Sequence, residues 1–198
     1  GGKPDRLRVL AGEAAPPAAA AASHDRTKVR WVDPRAPWLR RLGVTREDGQ
    51  PREGMSGKFR QIQRFVETMA STLAEAGIDP KAPELPGLRV ADMGSGKGYL
   101  TFALADFLGP RHSVTGVEAR PDLVRTCETV AREAGLSPAL GFREGIIASY
   151  DTGPIDVMVA LHACDTATDD ALARGIAAGA RVLVVSPCCH KELRPGLE

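Results

Sequence analysis

The chain has 198 residues, 43% hydrophobic and 26% charged, the balance of an ordinary globular domain and not of a fibre or a wholly disordered segment. The longest apolar runs, such as residues 157–161 and 182–185, fall far short of the roughly 20 residues that a membrane-spanning helix needs. The net charge of +1 hides an asymmetry: residues 1–64 carry 14 Lys and Arg against 7 Asp and Glu, and the remainder 12 against 18.

The chain begins Gly1-Gly2-Lys3-Pro4 with no apolar leader, the look of a trimmed or partial start. Residues 11–22 are low-complexity Ala/Pro, a linker or a short helix on the alanine run. Trp31 and Trp38 follow, set among Arg26, Lys28, Arg30, Arg35, Arg40 and Arg41. Two readings of this segment stay open. It is either a surface that stacks bases and pairs phosphates, or a proline-punctuated arm anchored to the body by its indoles. A basic front before an acidic body likewise fits contact with RNA or a solvated tail. Residues 1–54 are therefore read as a basic arm and 55–198 as the main domain.

From Lys58 to Ala76, Phe59, Ile62, Phe65, Val66, Met69 and Leu73 form a helical stripe, with Ser56 as the expected N-cap and Gly77 as the stop. Pro80, Pro83 and Pro86 mark a loop. Strands are then predicted over 88–93, 113–117, 139–142, 155–161 and 181–185, with helices over 100–108, 123–134 and 168–178. This alternation implies βαβ units and a parallel sheet covered on both faces. Ligands of such sheets bind beyond the carboxyl ends of the strands, so the residues just after each strand are the candidates for chemistry.

After the first strand comes Asp92-Met93-Gly94-Ser95-Gly96-Lys97-Gly98. Alternate glycines let backbone approach a ligand closely, and the next helix turns its N-terminus toward it. Gly98 follows Lys97 where a phosphate-binding P-loop needs Ser or Thr, and G-x-G-x-G is not the G-x-G-x-x-G of a dinucleotide fold. Asp92 at the strand tip would repel a pyrophosphate but suits a ligand bearing cations and no phosphate, such as S-adenosylmethionine. Glu118, 24 residues after Gly94, ends the second strand where a carboxylate takes ribose hydroxyls. Beyond the third strand, Glu144, Gly145 and Ile146 are placed to border the adenine, though Glu144 reads equally as a plain loop acid.

Past the fourth and fifth strands lie Leu161-His162-Ala163-Cys164-Asp165 and Pro187-Cys188-Cys189-His190. In a sheet of order 3-2-1-4-5 these tips are neighbours. Small residues admitting two ligands, an acceptor pocket with Asp165 or His162 taking a proton, a zinc site, and a thiolate nucleophile all remain open readings. Zinc is disfavoured, because adjacent cysteines rarely share one tetrahedral ion and no C-x-x-C pair occurs. No metal is expected. Cys127 falls on a predicted helix and reads as core. The four cysteines show no disulfide spacing, which fits a reducing, cytoplasmic setting.

Together D-x-G-S-G-K-G-Y-L, residues 161–172, P-C-C-H-K-E-L and the helix K-F-R-Q-I-Q-R-F-V-E resemble a class I, Rossmann-like methyltransferase-domain family. Some of its relatives are named methyltransferase-like or ribosomal RNA adenine dimethylase domain-containing proteins. The resemblance covers about residues 25–198. It implies an α/β fold with strand order 3-2-1-4-5. It also implies S-adenosylmethionine held by Asp92, Gly94, Ser95, Gly96, Gly98 and Glu118, with Leu161, Lys58 and Gln61 closing the pocket. Such folds end in a sixth and an antiparallel seventh strand, so the C-terminal strands are expected to be missing here. The expected function is methyl transfer to RNA or a translation-related macromolecule. The alternative is a scaffold that keeps the fold without catalysis. The oligomeric state is left open.

Overall fold

The computed structural model describes residues 30–161 and 166–186. Five strands, β1 (Arg89–Met93), β2 (Ser113–Glu118), β3 (Leu140–Glu144), β4 (Val157–Ala160) and β5 (Val182–Val185), form one sheet of order β3-β2-β1-β4-β5. Every neighbouring pair is parallel. Five helices accompany them: α1 (Pro37–Arg41), α2 (Ser56–Glu75), α3 (Tyr99–Leu108), α4 (Pro121–Glu133) and α5 (Thr166–Ala177). None of these is long and apolar enough to cross a membrane.

Strand side chains alternate between two faces, which splits the core in two. Val90, Val114, Leu140, Phe142, Val157, Val159 and Val182 join one cluster with residues of α1 to α4. Ala91, Met93, Val117, Met158 and Ala160 join the other with Ala171 of α5. The stripe predicted on α2 is buried at Ile62, Phe65, Val66, Met69 and Leu73. Its stop is also as expected: Gly77 takes φ +69°, and the Ile78 amide donates back to Leu73 O at 2.8 Å. The N-cap differs. Ser56 is itself the first helical residue, and the cap position falls on Met55 with no side-chain bond.

The segment before α2 packs into the same core. Val32, Ala36, Trp38, Leu39 and Val44 are buried with the α2 stripe. Trp38 stacks on Phe102 of α3 (centroids 5.8 Å apart, 13° between planes), and its indole N–H donates to Asp106. Phe102 in turn meets Phe142 of β3 at 5.3 Å. Such aromatic pairs contribute about 0.5–1.5 kcal/mol each beyond their buried area. Trp31 sits edge-on to Phe107, and Gln63 of α2 pins the backbone beside it. The Gln63 amide accepts from the Trp31 and Val32 N–H groups and donates to Val32 O. Of the two open readings of the tryptophans, packing as anchors is the one observed. A buried histidine fixes the proline loop: His112 Nδ1 accepts from the Leu88 amide at 3.0 Å while Nε2 lies 2.9 Å from Pro80 O. That pairing selects the tautomer protonated on Nε2.

Candidate active site

The glycine loop leaves β1 and is tied to β2 by backbone before any side chain acts. The Gly94 and Ser95 amides both donate to Val117 O, at 2.8 and 2.9 Å, and the Gly98 amide closes a turn on Ser95 O. Gly98, at φ +73°, is the N-cap residue of α3. A Cβ there would meet Phe142, Cys127 and Phe102 at 3.0–3.1 Å, so both backbone conformation and packing demand glycine. At Gly116 on β2 packing alone demands glycine: a Cβ would fall 2.6 Å from Phe142. The aromatic core thus presses directly against the underside of the loop. Cys127, buried as expected, lies 3.9 Å from Gly96 O, and burial pushes its thiol up to about 12. It is a structural group.

Above the loop opens a cleft with about 510 Å³ of empty space, partly open to solvent. Asp92, Gly94, Ser95, Gly96, Leu161 and Lys58 all line it, together with Lys97, Tyr99 and Leu100. Asp92 is buried and accepts a 2.5 Å hydrogen bond from the Thr101 hydroxyl. Burial raises its pKa to about 6, the Thr101 bond opposing only part of the effect. Ser95 Oγ is buried with no hydrogen-bond partner among the described residues. Lys58 donates to Gln61 Oε1 at 2.7 Å and stands 5.3 Å from the Tyr99 ring centre. Gln61 itself lines the adjoining groove.

Glu118 ends β2 beside the loop, and its carboxylate is fully engaged. Oε2 accepts from the Gly96 amide at 2.8 Å; Oε1 accepts from the amide and the Nε of Arg120 at 3.1 and 2.9 Å. Burial pushes the carboxyl up, but the bonds from Arg120 and Gly96 outweigh it, and the pKa lies below the ordinary value. The Arg120 side chain is largely exposed.

The third strand tip differs from expectation. The sequence pattern puts Glu144 beyond the strand, whereas it is the last residue of β3, paired in register with Glu118, and exposed. The pairing runs on because the Gly145 amide also donates to Glu118 O. Gly145 is packed beneath Tyr150 and Val117, where a Cβ would run into the tyrosine ring. Ile146 is 64% exposed, and the side chain beside the loop is instead Ile147, whose Cδ1 would lie 3.5 Å from a Cβ on Gly94. Neither Glu144, Gly145 nor Ile146 lines the cleft. His162, Asp165, Cys164, Cys188, Cys189 and His190 lie outside the described residues, and so does the reading of their cluster. Among the described residues, no group of three or more His, Cys, Asp or Glu side chains could hold a metal ion.

Sequence reasoning missed Thr101 and Arg120. The first had a signal: Thr101 and Asp106 are the only polar side chains apart from Tyr99 in the apolar helix YLTFALADFL. For Arg120, two residues beyond Glu118, charge alternation alone was a weak cue.

A family model described as a methyltransferase domain matches residues 57–196. The chain belongs to this methyltransferase-domain family. A glutathione S-transferase C-terminal domain-containing protein homolog of Drosophila melanogaster is 30% identical over 145 residues, which is 73% of this chain and 22% of that protein. The chain therefore spans about a fifth of this relative. Protein-L-isoaspartate O-methyltransferase 1 of Arabidopsis thaliana is 41% identical over 65 residues, 33% of this chain and 27% of that protein. Among solved structures, an RNA methyltransferase from Salinibacter ruber in complex with S-adenosyl-L-homocysteine is similar at 25% identity. The TM-score is 0.37, with 48% of this chain and 57% of the other covered.

Proposed function

We propose that this member of the family is an S-adenosylmethionine-dependent methyltransferase acting on RNA or another translation-related macromolecule. The observation that carries the donor assignment is Asp92. A buried carboxylate at the β1 tip, forming part of the cleft wall directly before the α3 N-terminus, would repel a pyrophosphate and attracts a cationic ligand. The groups in the cleft wall, and Glu118 behind it on the Gly96 amide, fit that ligand. The orphaned Ser95 hydroxyl, the glycine loop and the Glu118 carboxylate supply hydrogen-bonding groups of the kinds that an amino acid and a ribose require.

In this reading Asp92 holds the ammonium end, the Gly94–Gly98 loop follows the methionine backbone, and Glu118 receives the ribose hydroxyls. Both Glu118 oxygens are occupied, so Glu118 would hold a ribose diol by giving up its bonds to the exposed Arg120 guanidinium, while the Gly96 bond keeps the carboxylate oriented. The bound donor supplies an electrophilic methyl group on a sulfonium. The chain contributes alignment of the acceptor's lone pair in line with that carbon, from which most of the acceleration of such a displacement comes. Leu100 and Leu161 wall the cleft on the acceptor side. Asp165 or His162 is the proposed proton acceptor.

The test is incubation with tritiated donor and a cell lysate separated into RNA, protein and small molecules. Label in the RNA fraction that disappears with Asp92→Ala is expected. Label confined to protein or small molecules contradicts the RNA acceptor, and no label in any fraction despite donor binding contradicts catalysis.

A further inference from the structure

Next to the donor cleft lies a second, larger groove with about 950 Å³ of empty space, partly open to solvent. Leu100 and Leu161 line both, so the two are continuous. Among the described residues, the floor of the second groove is apolar, made by Phe65, Leu100, Leu161 and Val184, and its α2 wall carries Arg60 and Arg64. We propose that this groove takes a single-stranded RNA acceptor, with Arg60 and Arg64 pairing successive phosphates and the apolar floor receiving an unstacked base beside the donor. The proposal rests on the methyltransferase reading above and deepens it.

Three features favour this over a solvated helix face. Arg60 and Arg64 are four residues apart, so they stand one turn apart on the same side of α2, about 5–6 Å between Cβ atoms. Like charges at that spacing are unfavourable to the helix itself, and neither arginine has an ion-pair or hydrogen-bond partner among the described residues. Arg41 pairs with Glu133, Arg89 with Asp156, Arg120 with Glu118 and Arg143 with Glu128. Arg30, Arg35, Arg40, Arg46, Arg125 and Arg181 have no side-chain partner among the described residues either, so it is their shared place on the groove wall that sets Arg60 and Arg64 apart. Among the described residues, the donors of the two groove-lining arginines are therefore unpaired. Finally, the combination of guanidinium groups on a wall and an apolar floor suits a strand that offers both phosphates and flat bases. An acidic peptide would engage the wall and leave the floor unused.

The probe is a fluorescein-labelled mixed-sequence 12-nucleotide RNA, titrated by anisotropy with the whole chain at several KCl concentrations. Three proteins are compared: wild type, Arg60→Ala/Arg64→Ala, and Arg125→Ala/Arg132→Ala. The last loses the same charge from α4, which packs against β3 and β2. Wild type is expected to bind. The groove variant should bind at least tenfold more weakly, with a salt slope shallower by about 1.4, as expected for two phosphates of a single strand. The α4 variant should differ less than twofold. Arg60→Lys/Arg64→Lys keeps the charges and should recover most of the slope, which separates charge loss from misfolding. Calorimetry with S-adenosylmethionine on the same proteins reads the donor site separately. Failure of wild type to bind donor overturns the methyltransferase reading without altering the RNA comparison. Four outcomes overturn the groove assignment: no RNA binding by wild type, unchanged affinity and slope in the groove variant, equal loss in the α4 variant, or competition by polyglutamate as strong as by unlabelled RNA.

Discussion

At the tips of β1 and β2 nearly every polar group already has a partner within the chain: Val117 O takes two loop amides, Thr101 donates to Asp92, and Gly96 and Arg120 saturate Glu118. Along α2, above β4 and β5, the arginines lining the neighbouring groove have none among the described residues. The first region is organised in advance, as a small ligand of fixed shape requires, and the cost of ordering is met during folding. The second presents flexible charge over an apolar floor, as suits a larger and more variable partner. The contrast teaches that the two halves of the cleft should respond differently to substitution: the donor half through geometry and single buried groups, the acceptor half through charge.

The largest expected effect is at Asp92. Holding its carboxyl at about 6 against an ordinary 3.8 means that the ionised form at pH 7.5 opposes folding by about 3 kcal/mol. Asp92→Asn should therefore leave the melting temperature unchanged or raise it, while weakening donor binding by 100-fold or more. A fall in both would make Asp92 a structural residue. Next is Gly98→Ala, where positive φ and three contacts at 3.0–3.1 Å combine; a loss of about 2–5 kcal/mol is expected in chemical denaturation. Gly96→Ala, whose Cβ would meet nothing closer than 3.9 Å, should lose about 1–2 kcal/mol from its φ alone. Equal losses at the two positions would refute the packing of the aromatic core against the loop.

The pH dependence follows from the same carboxylate. An acid whose pKa is raised by folding favours the folded state more as pH falls through about 6, levelling off below about 3.8. Donor binding needs the charged form and runs the other way. Affinity should drop about tenfold between pH 7.5 and 5, and Asp92→Asn should abolish that slope. Glu118, held below the ordinary value, stays ionised throughout and adds nothing in this range. The smallest effect is at Arg120. Removing an exposed guanidinium that competes for Glu118 should tighten donor binding only modestly, by no more than about fivefold, because a solvent-exposed ion pair is weak. Weaker binding by Arg120→Ala would instead make that side chain a direct contact of the donor.

The same contrast explains what could be read from residues alone. The five strands, the glycine loop, Asp92 and Glu118 follow from local pattern: β-rich apolar runs, alternate glycines and acids at strand ends. What escaped depends on distant pairing. Gln63 holds Trp31 and Val32, His112 joins Leu88 to Pro80, and Trp38 reaches Asp106, contacts with sequence separations of 24 to 68 residues that no window reveals. At β3, the expected end at Phe142 was two residues early because Arg143 and Glu144 are polar, yet they continue the ladder against Val117 and Glu118. Hydrophobic pattern finds the buried part of a strand and stops where the strand emerges into solvent.

Titration calorimetry of the wild-type chain and Asp92→Ala with S-adenosylmethionine tests the central claim most directly. One binding site in the wild type, and none detectable in the variant at the same concentrations, is the predicted result. No heat with the wild type across buffers of different ionisation enthalpy, or undiminished binding by Asp92→Ala, would contradict it.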